Sequence, residues 1–539
     1  MMAKLQRSGI FLQKILPLLL LSLGAALRLA ALGSVPAGMH QDEALTAWNA
    51  FALLHEGIDS AGNRFPVYIA GWGDGQSAMA AWLLIPILAV TGGHVTPFLA
   101  RLPQAIVSVF TLWAVYCIMK RLFGRKAGLW GLFLLAVCPW HIMMSRWGLD
   151  ANFAPGFLMF GFYFFVRAVD NKKFLPLAGL FYGFSLYCYA VVWPIVPFIL
   201  ILQIVYCLYH KKIRPDIWTL SGALILFVMA LPLMLFLLVN SDVIPQINLP
   251  FLTIPKMIGY RGSEVAKSLP QMWKNLRNSM TLLWHQNTGS PYDILLPWGL
   301  FYDIGRVFTA IGIIALLVRL VSSVRRKTFA VEYLLFAQLA GGALNCLLIN
   351  AKMHQVNTLF IPLVLSQAYG IWTVTEFLHR MPSPKSKLWG NGASLGLAAI
   401  YMLCLLLFQR DYYTGYSKLV GAYFAEGLKE CVDFAWEQCG EKDITNITAE
   451  KGAQWTRLLL YTETLPSEYL ATVTYDVPPA PASFETKGIH INTRIHYDAI
   501  SQESIYIIYY TDVPVFEKEF TLTKFHDWYV AVPGNESAD

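Results

Sequence analysis

Charge is what this sequence has least of. Of its 539 residues only 14% are Asp, Glu, Lys or Arg, against 56% hydrophobic, and the mean hydropathy is +0.49. Soluble domains carry roughly a quarter charged residues, so a string of soluble domains is excluded and a polytopic membrane protein is expected. Cysteine is scarce too, at eight residues, and only Cys431 and Cys439 fall outside the apolar runs. On one continuous helix these two stand roughly 12 Å apart at about 1.5 Å per residue, beyond bridging distance; a disulfide requires the helix to stop between them. No clean A-x-A-like site follows the first apolar run, which exceeds the about 7–15 residues of a signal-peptide core. It reads as a retained span. A basic stripe is also missing: the net charge of +7 is spread over short clusters between apolar runs, the positive-inside pattern, so no nucleic acid partner is expected. No internal repeat is visible.

What is present is a succession of apolar runs of about 20 residues, the length of a transmembrane helix. Placed by their flanking Lys/Arg clusters, about eleven spans are expected, near 14–33, 98–119, 127–144, 151–168, 174–190, 192–209, 217–239, 295–319, 330–350, 356–378 and 389–409. The inner loops are then "KRLFGRK", "DNKK", "HKKIR", "VRRK" and "HRMPSPKSK", with a cytoplasmic N-terminus. A first outer loop, 34–97, holds the amphipathic "EALTAWNAFALLHEG" and the apolar "SAMAAWLLIPILAVTGG", which is short for a span and is expected in the membrane interface. A long outer loop, 241–294, carries Lys256, Arg261, Lys267, Lys274 and Arg277. That is basic for an outer face, and suits contact with anionic head groups.

Residues 1–409 therefore read as an all-α membrane module. Residues 410–539 have the composition of a soluble α/β or α+β domain on the extracytoplasmic side. Helical periodicity runs through "GAYFAEGLKECVDFAWEQ" and "GAQWTRLLLYTETLPSEYL"; "DITNITAE", "GIHINTRIHY", "SIYIIYYT" and "DWYVAV" read as strands.

Chemistry is suggested where "GMHQDEALTAW" follows the first span. Asp42 reads equally as the N-cap of a helix beginning at Glu43 and as a general base facing an outer cavity, worth about 10²–10⁴-fold in rate. Remote polar residues recur at the same membrane edge: Arg101 before the second span, His141, Ser145, Arg146 and Asp150 after the third, and Lys352, His354, Gln355 and Asn357 between the ninth and tenth. Ionisable groups at membrane depth are costly and usually functional. The plainer readings are that Arg101, Arg146 and Lys352 anchor helix ends, that Arg28 snorkels from inside the first span, and that His141 is structural. A base opposite several cations suits one reaction well. Arg and Lys grip a lipid phosphate and stabilise it as it departs from a sugar, while the carboxylate deprotonates an incoming hydroxyl or amine and the anomeric configuration inverts.

The order "GMHQDEALTAW", "LARLPQAIVS", "KRLFGRKAGLWGLFLLAVCPWHIMMSRWGLDAN" resembles the GT-C glycosyltransferases. It is most similar to the polyprenyl-phosphate-sugar enzymes, the protein O-mannosyltransferases of glycosyltransferase family 39 and the lipid A aminoarabinose transferases. The resemblance is good over residues 10–210 and extends to the rest in layout only. It implies a GT-C fold with juxtamembrane helices in the first outer loop, Asp42 as catalytic base and Glu43 as its acidic neighbour. It also implies Arg101 and Arg146 as ligands of the donor phosphate, with Asp150 and Asn357 as acceptor or accessory residues. The family's arginine near Asn357 is absent here, and Lys352 or His354 takes its place. The implied partners are an undecaprenyl- or dolichyl-type phosphate sugar, membrane lipids, and a protein, lipid or cell-wall glycan as acceptor in the cell envelope. No cofactor is required; Mg²⁺ or Mn²⁺ is possible but not favoured, because only Asp42, Glu43, Asp74 and Asp150 are near candidates as oxygen ligands. The alternative is a transporter or polyprenyl-lipid flippase, against which stands the gathering of polar residues at one membrane edge rather than at midplane.

Overall fold

A computed structural model describes residues 2–259, 265–476 and 478–534, with side chains from Lys14 onward; the basic N-terminal cluster and Arg261 lie outside the described residues. Each expected span meets a helix: Met2–Leu29, Pro97–Phe123, Arg125–Ala136 with Pro139–Met144, Ala154–Ala168, Leu175–Leu186, Val192–Tyr209, Ile217–Asn240, Ile304–Arg326, Glu332–Leu348, Phe360–Arg380 and Ser386–Asp411. Among the described residues, six helices are long and apolar enough to cross a membrane. Others are shorter than expected. Arg125–Ala136 and Leu175–Leu186 have 12 residues each, about 18 Å at 1.5 Å per residue.

The chain divides into two units. One comprises residues 1–30, 104–232 and 262–414 and contains most of the long apolar helices. Its lipid-suited surface is explicit: Leu224, Phe227, Val228 and Leu231 are exposed on one helix, and Ile314, Leu317, Val318 and Val321 on another, apolar stripes that only hydrocarbon would solvate favourably. Small residues set the helix contacts. A Cβ on Gly312 would lie 1.8 Å from the Ser366 carbonyl oxygen and one on Gly370 2.0 Å from that of Phe308, so these two backbones meet as close as membrane helices do at glycine. Arg28 does not snorkel. It is buried and donates to the Gly24, Leu135 and Ala136 carbonyls, with His141 Nδ1 2.5 Å away; carbonyls and an imidazole inside the bundle replace the head-group water.

The basic outer loop is more ordered than its composition indicates. The helix Leu269–His285, capped by Ser268 on Gln271 N–H, buries Asn275, Ser279 and Leu282 and exposes Leu269, Trp273, Met280 and Trp284. Those exposed residues recur at helical spacing on one face.

The second unit comprises residues 31–103, 233–261 and 415–539. It thus joins the first outer loop to the region expected as a separate soluble domain. A six-stranded sheet runs in the order Ser483–Thr486, Ile489–Asn492, Asn446–Ala449, Ile505–Tyr509, Trp528–Pro533, Phe520–Phe525. Asn446–Ala449 is parallel to both its neighbours and the other pairings are antiparallel. Helix Leu428–Lys442 is unbroken between Cys431 and Cys439, and both thiols are free; the condition for a disulfide is not met. One apolar core holds Leu45, Trp48 and Phe51 from Gln41–His55, Leu84 and Leu88 from Met79–Val90, and Leu458, Phe484, Ile505 and Val530 from the C-terminal part. The amphipathic and the apolar stretch of the outer loop are both helices, Gln41–His55 and Met79–Val90.

Candidate active site

The acidic pair sits where a helix is forced to begin. Gly38 takes φ +76°, and a Cβ there would meet the Phe424 carbonyl oxygen at 2.2 Å, so the chain turns against a neighbouring backbone that only glycine tolerates. Met39 N–H then donates to Phe424 O at 2.7 Å. The cap is His40 and not Asp42: His40 Nδ1 accepts from Asp42 N–H at 3.3 Å, and the helix runs Gln41–His55. Both carboxylates therefore lie in the first turn, favourable for negative charge.

Their environments differ sharply. The Glu43 side chain is wholly buried, whereas that of Asp42 is 30% exposed. Glu43 is gripped by Arg101, whose Nε donates to Oε1 at 2.9 Å and Nη2 to Oε2 at 3.1 Å. The same guanidinium donates from Nη1 to Leu32 O and Pro36 O and from Nη2 to Gly38 O, at 3.1, 2.8 and 2.7 Å. A guanidinium has five N–H donors, and these five bonds use them. Arg101 thus holds the loop that presents the acidic pair, and has no N–H left for the lipid phosphate to which its resemblance would assign it.

Arg457 was not anticipated. Its Nε donates to Met39 O at 2.8 Å, Nη1 to Gly452 O at 3.2 Å and Nη2 to Tyr423 O at 2.6 Å. Burial pulls the guanidinium down to about 10, while Tyr461, Asp42 and Glu43 act to keep it charged. Thr456 Oγ1 adds a bond to Gln41 O and Gln76 Nε2 one to Asp42 O. The only sequence signal for Arg457 was an arginine directly before the apolar "LLLY". Of the two carboxylates, Asp42 is thus the part-exposed one, at the helix start, with His40 Nδ1 3.7 Å from its Oδ2.

The remaining candidates fall in the other unit. Arg146 is buried and donates from Nη1 to Leu27 O, Arg28 O and Ala30 O at 3.3, 3.2 and 2.6 Å, and from Nε to the Tyr412 hydroxyl. It caps the carbonyl end of the first helix, where orphan C=O groups need donors and positive charge is favourable, as the anchoring reading expects. Asp150 and Asn357 meet at Ala151: Asp150 Oδ1 accepts its N–H at 2.7 Å and Asn357 Nδ2 donates to its carbonyl at 2.9 Å. Both are buried and brace a turn. Lys352 and His354 line a polar cavity with Asp293, Asn278 and Asn350. Among the described residues no three His, Cys, Asp or Glu side chains form a metal-holding group.

Residues 76–236 match the family model for dolichyl-phosphate-mannose-protein mannosyltransferase; the match includes Arg101, Arg146 and Asp150 and excludes the acidic pair. The crystal structure of ArnT from Cupriavidus metallidurans bound to undecaprenyl phosphate is similar over 95% of this chain and 97% of that one, with TM-score 0.57 and 10% identity. The apo form of the same protein gives TM-score 0.54 at 11% identity over the same shares. The chain has the GT-C fold. An oligosaccharyltransferase from Archaeoglobus fulgidus aligns more loosely, at TM-score 0.48 and 12% identity over 84% of this chain and 63% of that one. No protein of curated function matches in sequence. The six helices long and apolar enough to cross a membrane, among the described residues, suit that fold.

Proposed function

We propose that this GT-C chain is an inverting glycosyltransferase that moves a sugar from a polyprenyl phosphate to an acceptor hydroxyl or amine on the extracytoplasmic face. The observation that carries the reading is the division of labour in the acidic pair. Glu43 is locked to Arg101 inside the protein, and Asp42, one residue away, is part-exposed on the first turn of a helix held by Arg101 and Arg457. Support comes from a family model whose description names a dolichyl-phosphate mannose donor and from the likeness to a protein solved with undecaprenyl phosphate.

In this reading Asp42 removes the acceptor's proton, the acceptor atom bonds to the anomeric carbon from the face opposite the phosphate, and the sugar–phosphate bond breaks with its electron pair going to phosphate. Departure of the phosphate calls for positive side chains that stabilise its growing charge. Arg101 and Arg146 already spend donors on carbonyls or on Glu43. A monophosphate leaving group needs no more than such cations, so the reaction as proposed runs without a metal.

The test uses the full chain in nanodiscs with a panel of radiolabelled undecaprenyl-phosphate sugars and membrane-extract acceptors. Asp42→Asn should lower transfer by about 10²–10⁴-fold while leaving thermal stability near that of the parent. Transfer by Asp42→Asn at the parental rate removes the base assignment. Movement of the labelled lipid across liposomes, with no transfer by the parent chain, replaces the enzyme with a flippase.

A further inference from the structure

In the unit formed by residues 1–30, 104–232 and 262–414, the loop after helix Leu269–His285 and the segment before helix Met353–Val356 enclose a cavity of about 510 Å³. This is the size of a small-molecule site. Asp293 lines it and is only 6% exposed, yet its Oδ1 has no hydrogen-bond partner. A buried polar atom left unpaired costs about 1–3 kcal/mol, more if charged. Nothing in the carboxyl's own loop requires that: Ser290 O accepts the Asp293 backbone N–H, and Thr288 serves both Ser290 N–H and O. Oδ1 is therefore missing a donor.

The rest of the lining says which donor. Asn278 and Asn350 are joined by a 2.9 Å bond between Nδ2 and Oδ1 and sit in the wall with Lys352, His354 and Tyr292. Amide and hydroxyl groups that both give and take hydrogen bonds, one cation, one carboxyl and one phenol ring make a poor match for an apolar chain, which would leave Oδ1 unpaired. They also suit an isolated anion badly, since it would face the Asp293 carboxyl. A sugar ring answers all of them: its hydroxyls donate and accept, it carries no net charge, and its C–H face can lie on an aromatic ring.

We propose that this cavity is a carbohydrate subsite in which Asp293 Oδ1 accepts a hydrogen bond from a sugar hydroxyl. Burial, partly offset by the Thr288 hydroxyl, pushes the Asp293 carboxyl up to about 7, which is the behaviour of a group whose charged form is poorly solvated. The inference rests on the glycosyl-transfer reading and narrows it. The sugar belongs either to the lipid-linked donor or to a glycan acceptor, and the same chemistry serves both.

The experiment measures binding of bare undecaprenyl phosphate and of an undecaprenyl-phosphate sugar panel to the full chain in nanodiscs, for the parent, Asp293→Ala, Asp293→Asn and Asn278→Ala. Transfer kinetics are measured beside it. If the sugar is the donor's, the parent binds at least one sugar-bearing lipid more tightly than the bare lipid. Asp293→Ala then loses that difference, about tenfold or more, while its affinity for bare lipid stays within about twofold. If the sugar is the acceptor's, donor binding is unchanged in all variants and KM for the glycan acceptor rises by a similar factor. Bare-lipid binding reports folding. Should Asp293→Ala fail that control, Asp293→Asn and Asn278→Ala carry the test. Retention of both sugar-dependent binding and acceptor KM in the folded variants overturns the subsite. Absence of transfer by the parent chain overturns the proposed function instead, and the binding comparison still decides the subsite.

Discussion

Arg457 donates its Nε–H to the carbonyl of Met39 at 2.8 Å, joining residues 418 positions apart. With its bonds to Gly452 O and Tyr423 O it pins the entry to the helix that carries Asp42 from the C-terminal part of the same unit. Removing the guanidinium leaves three carbonyls short of a donor. Arg457→Met is expected to lower stability by about 2–4 kcal/mol, read as a fall in melting temperature in detergent. It is also expected to lower kcat more than it raises KM, because Asp42 loses its fixed position. Arg457→Lys, which keeps the charge but not the fork, should recover part of the stability and little of the rate. Full activity in Arg457→Met would show that the helix entry holds itself.

Glu43 and Arg101 answer a sharper question, whether the arginine serves the fold or a ligand. Breaking a buried ion pair from one side costs about 3–5 kcal/mol, while removing both partners costs much less than the sum. Arg101→Met and Glu43→Gln should each destabilise strongly, and the double variant should be less destabilised than additivity requires. The affinity for bare undecaprenyl phosphate should be unchanged in any of the three that folds. Loss of that affinity in Arg101→Met alone, with Glu43→Gln unaffected, would return Arg101 to the phosphate.

These two clusters also mark what the sequence could and could not carry. Apolar runs announce helices, so every expected span meets one, and the amphipathic stretch 44–56 and the apolar stretch 77–91 fall on helices Gln41–His55 and Met79–Val90. "DE" at a helix start was legible as important. Its split into a buried Glu43 and a part-exposed Asp42 was not, because burial there is decided by Arg101, 58 residues away, and by backbone carbonyls that no pattern encodes. Arg28 looked like a snorkelling residue for the same reason. In the sheet, the four strands read from the sequence are the four inner ones, and the two unread ones, Ser483–Thr486 and Phe520–Phe525, are its edges. The boundary expected near 409 follows composition, whereas the compact unit takes in residues 31–103 as well, since the loop's apolar helix faces are buried in the C-terminal part's core.

The exposed face of helix Leu269–His285 leads to a prediction about lipid. Trp273 and Trp284 are about 70% exposed beside Leu269 and Met280, and Lys274 and Arg277 lie on the same helix. Aromatic and apolar residues on one face with basic residues nearby are the composition of an interfacial helix. In nanodiscs of brominated lipid, fluorescence from a variant keeping only Trp273 and Trp284 should be quenched. Lys274→Glu with Arg277→Glu should weaken that quenching in anionic bilayers and leave it little changed in neutral ones. Unquenched tryptophans would place this face in water.

Asp293 gives the protein a stability that depends on pH in a definite direction. Its carboxyl stands at about 7 against the usual 3.8, so between those values the unfolded chain has released the proton while the folded chain keeps it. The folded state then binds more protons, and stability falls as pH rises. The contribution is fully present below about 4 and lost by about 7, with a ceiling of about 4 kcal/mol for this displacement. His354 and Lys352 line the same cavity. The comparison must therefore be with Asp293→Asn, which keeps both. The parent's melting temperature should fall between pH 5 and 7.5 relative to Asp293→Asn, and a saturating sugar ligand that donates to Oδ1 should reduce the difference. Parallel curves across that range would mean that the carboxyl is already solvated or paired, and the cavity would lose its claim to an unmet acceptor.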